Sequence, residues 1–479
     1  TIAGLHYTGE VASGSGAADH LADFDERSTL AVSGNTTISA NNSQSRVNLT
    51  VANGTAVVAH VTELNVGINA AGTGRVTGHL TVTSGASLDA ADVAILSIGR
   101  ETGSWDRTTT AANGSLTLGS HSTITLGSAA ALATLNIGWS QNTNGYTNGA
   151  SATGLLDTTE GSFIAHLNAL NIGKTTNAGS ASGQFIMGAG SAVTTNTANI
   201  GMASHGNGTL TVLSDSLTFT GAGSALNFGS GTLEVPGGAF TLGSAAEALS
   251  ALRIGYMNSG TGTATTAIDL TEGNPTFTAF VADELSIGRE TGSWDRTTTA
   301  ANGSLTLGSH STITLGSAAA LATLNIGWSQ NTNGYTNGAS ATGLLDTTEG
   351  SFIAHLNALN IGKTTNAGSA SGQFIMGAGS AVTTNTANIG MASHGNGTLT
   401  LVDNFNGLFD TTTLNLANGL FDFGNNTLAI GGAGSIAAEI VNLRGGLLSG
   451  STVDLNPGGS FNFTGGRLDV MTFNGHLSD

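Results

Sequence analysis

The densest charged stretch of the chain is GRETGSWDR at residues 99–107, which occurs again at 288–296. Its Glu101 and Asp106 have the chemistry of a glycosidase carboxylate pair, and Trp105 has that of a platform for a sugar ring. A glycosidase also needs a cleft that holds both carboxylates at a fixed separation, and a single surface loop does not form one. We therefore interpret the stretch as a long loop held by its own charged residues, with the tryptophan covering apolar surface.

A second stretch, WSQNTNGYTNG at 139–149 and again at 328–338, places aromatic residues among amides. We favour an ordered loop that packs on its own solenoid. Tyr and Trp are preferred anchors at interfaces, so the alternative is a loop that contacts another subunit or a glycan, and of these two we prefer the subunit. The candidate contact residues of both loops and their copies are Trp105, Trp139, Tyr146, Trp294, Trp328 and Tyr335.

Elsewhere, residues that could do chemistry are dispersed. The 11 His have no second ligand close by, and the chain has no calcium-binding nonapeptide or EF-hand loop, so we predict no metal site and no cofactor. Polysaccharide lyases need an acid cluster and a cationic base, whereas Lys occurs only at Lys174 and Lys363. We therefore predict no catalytic residue and do not expect an enzyme; a polysaccharide-degrading enzyme is the least favoured alternative.

These loops lie in a chain that repeats itself at two scales. Residues 96–211 recur without a change as residues 285–400, a block of 116 residues. An enzyme gains little from a verbatim second copy, whereas a scaffold or a multivalent surface gains length. At the finer scale, a hydrophobic residue followed by Gly, as in LNIG at 135–138, returns every 26 to 39 residues. We call this the LNIG motif, and its period is typical of solenoids and propellers.

Each fine repeat consists of three short β-type runs. Residues 208–229, for example, divide into LTV, LTFT and ALNFG, separated by Gly, Ser and Asp. A propeller blade needs four strands and usually about 40 residues, which the shorter repeats do not supply. The sequence therefore predicts an all-β parallel β-helix (β-solenoid) with about three short strands per coil. The length differences between repeats predict variable loops concentrated at one corner.

Within the LNIG motif, we expect the Ile to lie in the core and the Gly to form a turn. The Asn can form a ladder of stacked amides between coils. Residues Ser97, Arg253 and Ser286 occupy the same slot and should interrupt that ladder. The motif is thus predicted to be scaffold, and any lateral recognition should come from the loop that follows it.

The repeat pattern divides the chain into three parts. Residues 64–400 are the predicted solenoid, 1–63 an N-terminal cap or assembly segment, and 401–479 C-terminal solenoid coils or a cap. Open solenoid ends expose unpaired strand edges, which must be capped or paired with another chain. The opening TIAGLHYTGEVASG could add as a strand to a neighbour.

Composition excludes several partners. The net charge is −18, with 12 Lys and Arg against 30 Asp and Glu, and no cationic cluster occurs. Nucleic acid and anionic lipid both require such a cluster, so we predict no nucleic-acid binding. No apolar run approaches the roughly 18–20 residues that span a bilayer, so we predict no membrane insertion of this chain.

Two stretches carry a family resemblance. LNVGINAAGTGRVTGHLTVTSGASL at 64–88 and ANIGMASHGNGTLTVLSDSL at 198–217 resemble the autotransporter and PEP-CTERM-associated repeat of secreted bacterial β-helix proteins. The tail GGSFNFTGGRLDVMTFNGHLSD at 458–479 is similar to the closing coils of the same proteins. The resemblance implies an extracellular or cell-surface location and offers no catalytic residues to transfer.

Together these observations predict a structural subunit of an extracellular bacterial filament, tubular appendage or surface layer. It should assemble as a homo-oligomer or homopolymer through solenoid ends and loops. The alternative is a surface adhesin whose corner loops, 100–113 and 139–153 with their copies, bind a cell-surface glycan.

Overall fold

The computed structural model describes residues 62–475 apart from short segments, and it gives strand backbones within residues 2–58. The segments outside the description are 70–73, 103–109, 142–149, 177–178, 204, 214, 220–222, 237, 259–261, 274, 292–298, 331–338, 366–367 and 393. The chain divides into two compact units, Thr1–Thr241 and Leu242–Asp479.

The strands of the first unit, up to its boundary, are β1 (Ile2–Ala3), β2 (His6–Tyr7), β3 (Ala18–Asp19), β4 (Ala22–Asp23), β5 (Thr29–Ser33), β6 (Thr36–Ala40), β7 (Ser45–Ala52), β8 (Thr55–Val58), β9 (Glu63–Asn69), β10 (Gly74–Val82), β11 (Ser87–Ala90), β12 (Ile95–Glu101), β13 (Thr110–Leu118), β14 (Thr123–Leu126), β15 (Ala133–Ser140), β16 (Ala150–Asp157), β17 (Ser162–Thr175), β18 (Ser180–Met187), β19 (Ala192–Ile200), β20 (Gly206–Val212), β21 (Asp215–Phe219), β22 (Ala225–Phe228), β23 (Gly231–Glu234) and β24 (Ala239–Leu242).

The strands of the second unit are β25 (Leu249–Met257), β26 (Gly262–Asp269), β27 (Thr276–Glu290), β28 (Thr299–Thr306), β29 (Ser311–Leu315), β30 (Ala322–Ser329), β31 (Ala339–Asp346), β32 (Ser351–Thr364), β33 (Ser369–Met376), β34 (Ala381–Met391), β35 (Gly395–Leu401), β36 (Leu408–Leu416), β37 (Gly419–Asp422), β38 (Thr427–Ile430), β39 (Ile436–Leu455) and β40 (Ser460–Asn474).

In the first unit, each coil has three strand positions, and each strand pairs in parallel with the same position of the next coil. The first position runs through β10, β13, β16, β18, β20 and β23. The second and third positions are separate strands in β14 and β15 but join into the single strand β17, with a register shift where they meet. The predicted parallel β-helix is confirmed.

The corners of the coil differ in how much length they tolerate. Between the first and second positions the connections 83–86, 119–122, 158–161 and 188–191 have four residues each, and the next one, 213–214, has two. Between the third position and the next coil they are 102–109, 141–149, 176–179 and 201–205, which range from four to nine residues. The variable loops are therefore concentrated at one corner, as predicted.

Hydrophobic residues of the LNIG motif form continuous interior columns. Val66, Ile98, Ile137, Ile172 and Ile200 occupy one column in register and are all completely buried. Because strands of neighbouring coils lie about 4.8 Å apart, each side chain packs directly on the next one. The core position predicted for this residue is confirmed.

The third-position Gly of the LNIG motif is required for two reasons, its positive φ and the close approach of another backbone segment. Gly138 has a φ of 64°, and a Cβ placed on it would lie 2.0 Å from the carbonyl oxygen of Ser182. Gly154, at the first strand position, faces it so closely that its own Cβ would lie 2.3 Å from the Gly138 nitrogen. Two glycine columns thus bring the third and first positions of the coil into backbone contact, which a side chain would prevent.

The second unit folds the duplicated block in the same way but places it between different neighbours. The first strand of the block pairs with β9 in the first unit and with β25 in the second. It is followed by β22, with Phe228, in the first unit and by β36, with Leu416, in the second. Identical coils therefore accept two different preceding coils and two different following ones.

Outside residues 64–400, the strand backbones continue the coil pattern. In the first unit, β7 pairs in parallel with β10, and β6 pairs in parallel with β9. In the second unit, β36, β39 and β40 continue the parallel stack, whereas β38 pairs antiparallel with β39. The cap or assembly role of residues 1–63 and 401–479 stays a prediction.

Candidate functional site

Of the six predicted contact residues, Trp139 and Trp328 lie within the described residues. Trp105, Tyr146, Trp294 and Tyr335 lie outside them, as does Asp106. Trp139 and Trp328 follow the Gly of the LNIG motif on β15 and β30, at the entrance to the longest corner loops.

Both tryptophans have a cationic neighbour over the ring, and Trp328 has two. The guanidinium carbon of Arg289 lies 4.5 Å from the ring centroid of Trp328, and the Lys363 Nζ lies 5.4 Å from it. The Trp328 Nε1 donates a hydrogen bond of 3.1 Å to Thr365 Oγ1. The guanidinium carbon of Arg100 lies 4.8 Å from the ring centroid of Trp139, and the Trp139 Nε1 donates a hydrogen bond of 3.1 Å to Thr176 Oγ1. A sugar stacking on these ring faces would have to displace the cations, so the rings' present contacts are within their own solenoid.

Arg100 and its duplicate Arg289 each form an ion pair with a glutamate, but the two glutamates occupy different positions in the coil. Arg100 forms an ion pair of 3.2 Å with Glu63, which lies on the preceding coil. Arg289 pairs instead with Glu284 on its own strand, and Glu284 also receives Arg253 at 2.8 Å. Burial alone would raise the pKa of Glu284, but the hydrogen bond from Arg253 and the charges of both arginines outweigh it, so this pKa is lowered.

The glutamate of the duplicated charged stretch points into the coil. Glu101 is completely buried, and its Oε2 accepts a hydrogen bond of 3.2 Å from Ser140 Oγ. Glu290 is equally buried and accepts the same bond from Ser329. This position is the coil interior rather than a surface cleft. Among the described residues, no group of three or more His, Asp and Glu could hold a metal ion.

The Asn of the LNIG motif forms a directed ladder of side-chain hydrogen bonds in each unit. In the first unit, Nδ2 atoms donate over 2.9–3.3 Å along Asn227, Asn199, Asn171, Asn136 and Ser97. In the second unit they donate over 2.8–3.2 Å along Asn462, Asn442, Asn415, Asn388, Asn360, Asn325 and Ser286.

In every one of these bonds, the donor belongs to the later residue. The ladders begin at Ser97 and Ser286, so the predicted interruptions at serine are confirmed. In the next coil before Ser97, the Asn65 Nδ2 donates to Glu63 instead. Arg253 lies in register with Ser286, but its guanidinium donates a hydrogen bond to Glu284 and does not extend the ladder.

The outermost strand of the second unit leaves core positions uncovered. Leu443 on β39 is completely buried, whereas Phe463, its partner in register on β40, is 49% exposed. Met471 is 82% exposed, but it lies opposite Ser451 and not opposite a core residue. Among the described residues, β40 pairs with β39 on one side and with nothing on its other edge. An apolar surface and a 15-residue parallel strand edge are therefore open together.

The open surface is ordered by its own aromatic contacts. Phe461 stacks on Phe463 with ring centroids 6.3 Å apart and contacts Phe473 at 5.7 Å. The alternating apolar residues of FNF at 461–463 and LDVMTF at 468–473 were a usable signal, because FNF occupies the LNIG slot of its coil. The sequence placed an assembly segment here but did not single out these residues.

A separate groove lies on the second-position face of the second unit. It has a volume of about 670 Å³ beside Asp410, Glu439 and Gly431–Gly434, and an adjoining cavity of about 190 Å³ shares both acids. No aromatic residue lines either part. The groove therefore lacks the aromatic lining that is common in ligand pockets.

The fold defines the class of this protein as a parallel β-solenoid repeat protein. No protein-family model, curated protein or solved structure matches the chain. The described residues contain no helix that is long and apolar enough to cross a membrane.

Proposed function

We propose that this chain is a structural subunit that assembles with copies of itself through the outer face of β40. The observation that carries the proposal is the contrast between Leu443 and Phe463, which hold one core position but differ in exposure by about half. Fully burying a side chain such as Phe or Met contributes about 1.5–3 kcal/mol. Covering Phe463 and the partly exposed Phe461 and Phe473 with another coil would therefore favour association by a part of this increment at each side chain.

The ability of one coil to stack on coils of different sequence supports the same proposal. The identical duplicated block stacks on Leu64 and Val66 in one unit and on Leu252 and Ile254 in the other. What a coil requires of its neighbour is hence a pattern of apolar columns and parallel strands, not one particular sequence. A coil of a second copy offers that pattern to β40.

Placement in an extracellular bacterial filament, tubular appendage or surface layer rests on the resemblance to secreted β-helix repeats. A structural role agrees with the burial of Glu101 and Glu290 inside the coil and with the verbatim duplication. The glycan-binding adhesin remains the alternative, and its loops lie largely outside the described residues.

Negative-stain electron microscopy of the 479-residue chain tests the proposal. We expect multi-copy assemblies for the unchanged chain and dispersed single copies for Phe463→Asp, because a carboxylate at the centre of the contact would be desolvated. The matched control is Ile164→Asp, which places the same charge on a lateral apolar residue that is 38% exposed and should leave assembly unchanged. Dispersed single copies of the unchanged chain at high concentration would refute the proposal.

A further inference from the structure

We propose that Lys174 and Lys363, the only lysines of the chain, each bind the carboxylate of an acidic sugar. Both lie on the outer surface of the third strand position, one coil after the tryptophan that follows the LNIG motif. These sites are separate from the β40 face and do not depend on assembly through it. Three features of the described residues support them: the burial of the lysines, the charge around them and the polar groups beside them.

Both lysines are half-buried cations without a carboxylate beside them. Burial lowers the pKa of Lys174 and of Lys363. In the described part of the chain, neither lysine takes part in an ion pair. The segments 142–149 and 177–178, which lie outside the described residues, contain no Asp or Glu, and neither do their copies in the duplicated block. Burying a cation without a counter-charge is unfavourable, so an anion from solution would stabilise each site.

The surface around Lys363 carries several cations although the chain as a whole is acidic. Arg253, Arg289 and Lys363 lie within four successive coils, on β25, β27 and β32. Their ion pairs within the described residues involve one carboxylate, that of Glu284. Three of the 12 Lys and Arg residues of a chain with a net charge of −18 thus share a single acid. An anion is attracted to such a local concentration of positive charge.

Hydrogen-bonding groups surround the same tryptophan as the lysine. The Lys363 Nζ lies 5.4 Å from the ring centroid of Trp328, whose Nε1 donates to Thr365 Oγ1 at 3.1 Å. The exposed Thr365 hydroxyl can still donate its own hydrogen. Gln330 accepts from Arg289 through its Oε1, which leaves its Nε2 as a donor. A carboxylate bound to the ammonium would therefore have hydroxyl and amide groups nearby, as the hydroxyl groups of a sugar require. This mode leaves the cations over the ring, unlike stacking on the ring face.

The site occurs in both units because its residues lie inside the duplicated block. In the first unit, Trp139 lies in register with Lys174, and its Nε1 donates to Thr176 Oγ1 at 3.1 Å. Arg100 pairs there with Glu63, so the lysine is again the cation without a described carboxylate. We therefore expect two sites of similar affinity in each chain.

Isothermal titration calorimetry of the 479-residue chain with a galacturonate trimer tests the sites. We expect two trimers per chain, and one in Lys174→Met or in Lys363→Met. The double variant should bind at least about tenfold more weakly, since each site loses a charge-assisted hydrogen bond. Added salt should weaken binding, and a trimer of neutral galactose should not bind. Arg75→Met is the matched control, because it removes an exposed cation at the first strand position and should keep both sites.

A second measurement locates the ligand at the lysines. The bound trimer should slow acetylation of each lysine amine, followed by peptide mass spectrometry. Because the peptides around Lys174 and Lys363 are identical, each lysine is measured in the variant that lacks the other. Thermal melting of the double variant, expected to match that of the unchanged chain, shows that it is folded.

Three results would contradict the proposal. Undiminished binding of the galacturonate trimer to the folded double variant would show that the lysines do not hold it. Equal binding of the neutral trimer would show that the carboxylate is not recognised. Acetate or sulfate binding as tightly as the galacturonate trimer would show an anion site without recognition of a sugar, and the proposed class of ligand would be wrong.

Discussion

Leu443 and Phe463 lie in register on β39 and β40, yet Leu443 is 0% exposed and Phe463 is 49% exposed. The same column is closed in every preceding coil of the second unit that carries the LNIG motif, where Leu416, Ile389, Ile361 and Ile326 are all completely buried. Among the residues that the structure describes, no coil covers the outer face of β40, although its apolar positions continue the solenoid core. This relationship is the basis of the proposed assembly.

The paired glycine columns predict that replacing a glycine destabilises the fold most where backbone atoms of another coil lie close to its Cα. Gly138→Ala adds a Cβ 2.0 Å from a backbone oxygen at a φ of 64°, whereas Gly85→Ala has nothing within 4 Å at a φ of 73°. The control should lose about 1–2 kcal/mol, the ordinary cost of a left-handed residue with a side chain. Gly138→Ala should lose clearly more, measured by urea unfolding. Equal losses would show that the coil can open at this corner without cost.

The amide ladder predicts that buried hydrogen bonds between asparagine side chains contribute to the stability of the fold. Asn171 donates to Asn136 and accepts from Asn199, both at 2.9 Å, and it is 5% exposed. Asn171→Ala removes both bonds and leaves buried partners unsatisfied, so it should cost about 1–3 kcal/mol. The surface bond from Asn196 to Asn168 provides the control, because Asn196→Ala should cost less than about 0.5 kcal/mol. Similar unfolding midpoints for both variants would contradict a structural role of the ladder.

The two arginines at Glu284 predict acid sensitivity. Because the folded-state pKa of Glu284 lies below its ordinary value of 4.5, its contribution to stability is present above that value. It is lost as the pH falls through the lower folded-state pKa. Glu284→Gln should therefore destabilise the chain near pH 7 and flatten the decline on acidification, followed by thermal melting. Arg253→Gln, which removes one of two partners, should give an intermediate slope; an unchanged slope in both variants would exclude the coupling.

Local pattern was sufficient to predict most of the fold. Period-2 alternation, turn residues and the spacing of the LNIG motif predicted three strands per coil, the core position of Ile137 and the corner that holds the loops. These features are local, since each follows from a few consecutive residues. The amide ladder could also be predicted from the sequence, because an Asn at one position of a parallel stack lies next to the Asn at the same position of the next coil.

Features that depend on which segments meet across the coil could not be predicted from the sequence. The sequence marked Gly154 as the start of a strand but not as the surface on which Gly138 packs. It also gave no partner for Arg100 and Arg289, since identical duplicated arginines use acids at different places just outside the duplication. The sequence named the aromatic loop residues as candidate contacts, whereas the exposed core of β40 is recognised only when its exposure is compared with that of β39.

Hydrogen–deuterium exchange at low and high protein concentration tests the central claim most directly. Assembly through β40 pairs the amides of its open edge, so peptides covering residues 460–474 should become protected as concentration rises. Peptides from the corner loops at 100–113 and 139–153 should exchange equally at both concentrations. Protection that rises in those loops while 460–474 stays unchanged would contradict assembly through the last coil and place the contact at the lateral loops.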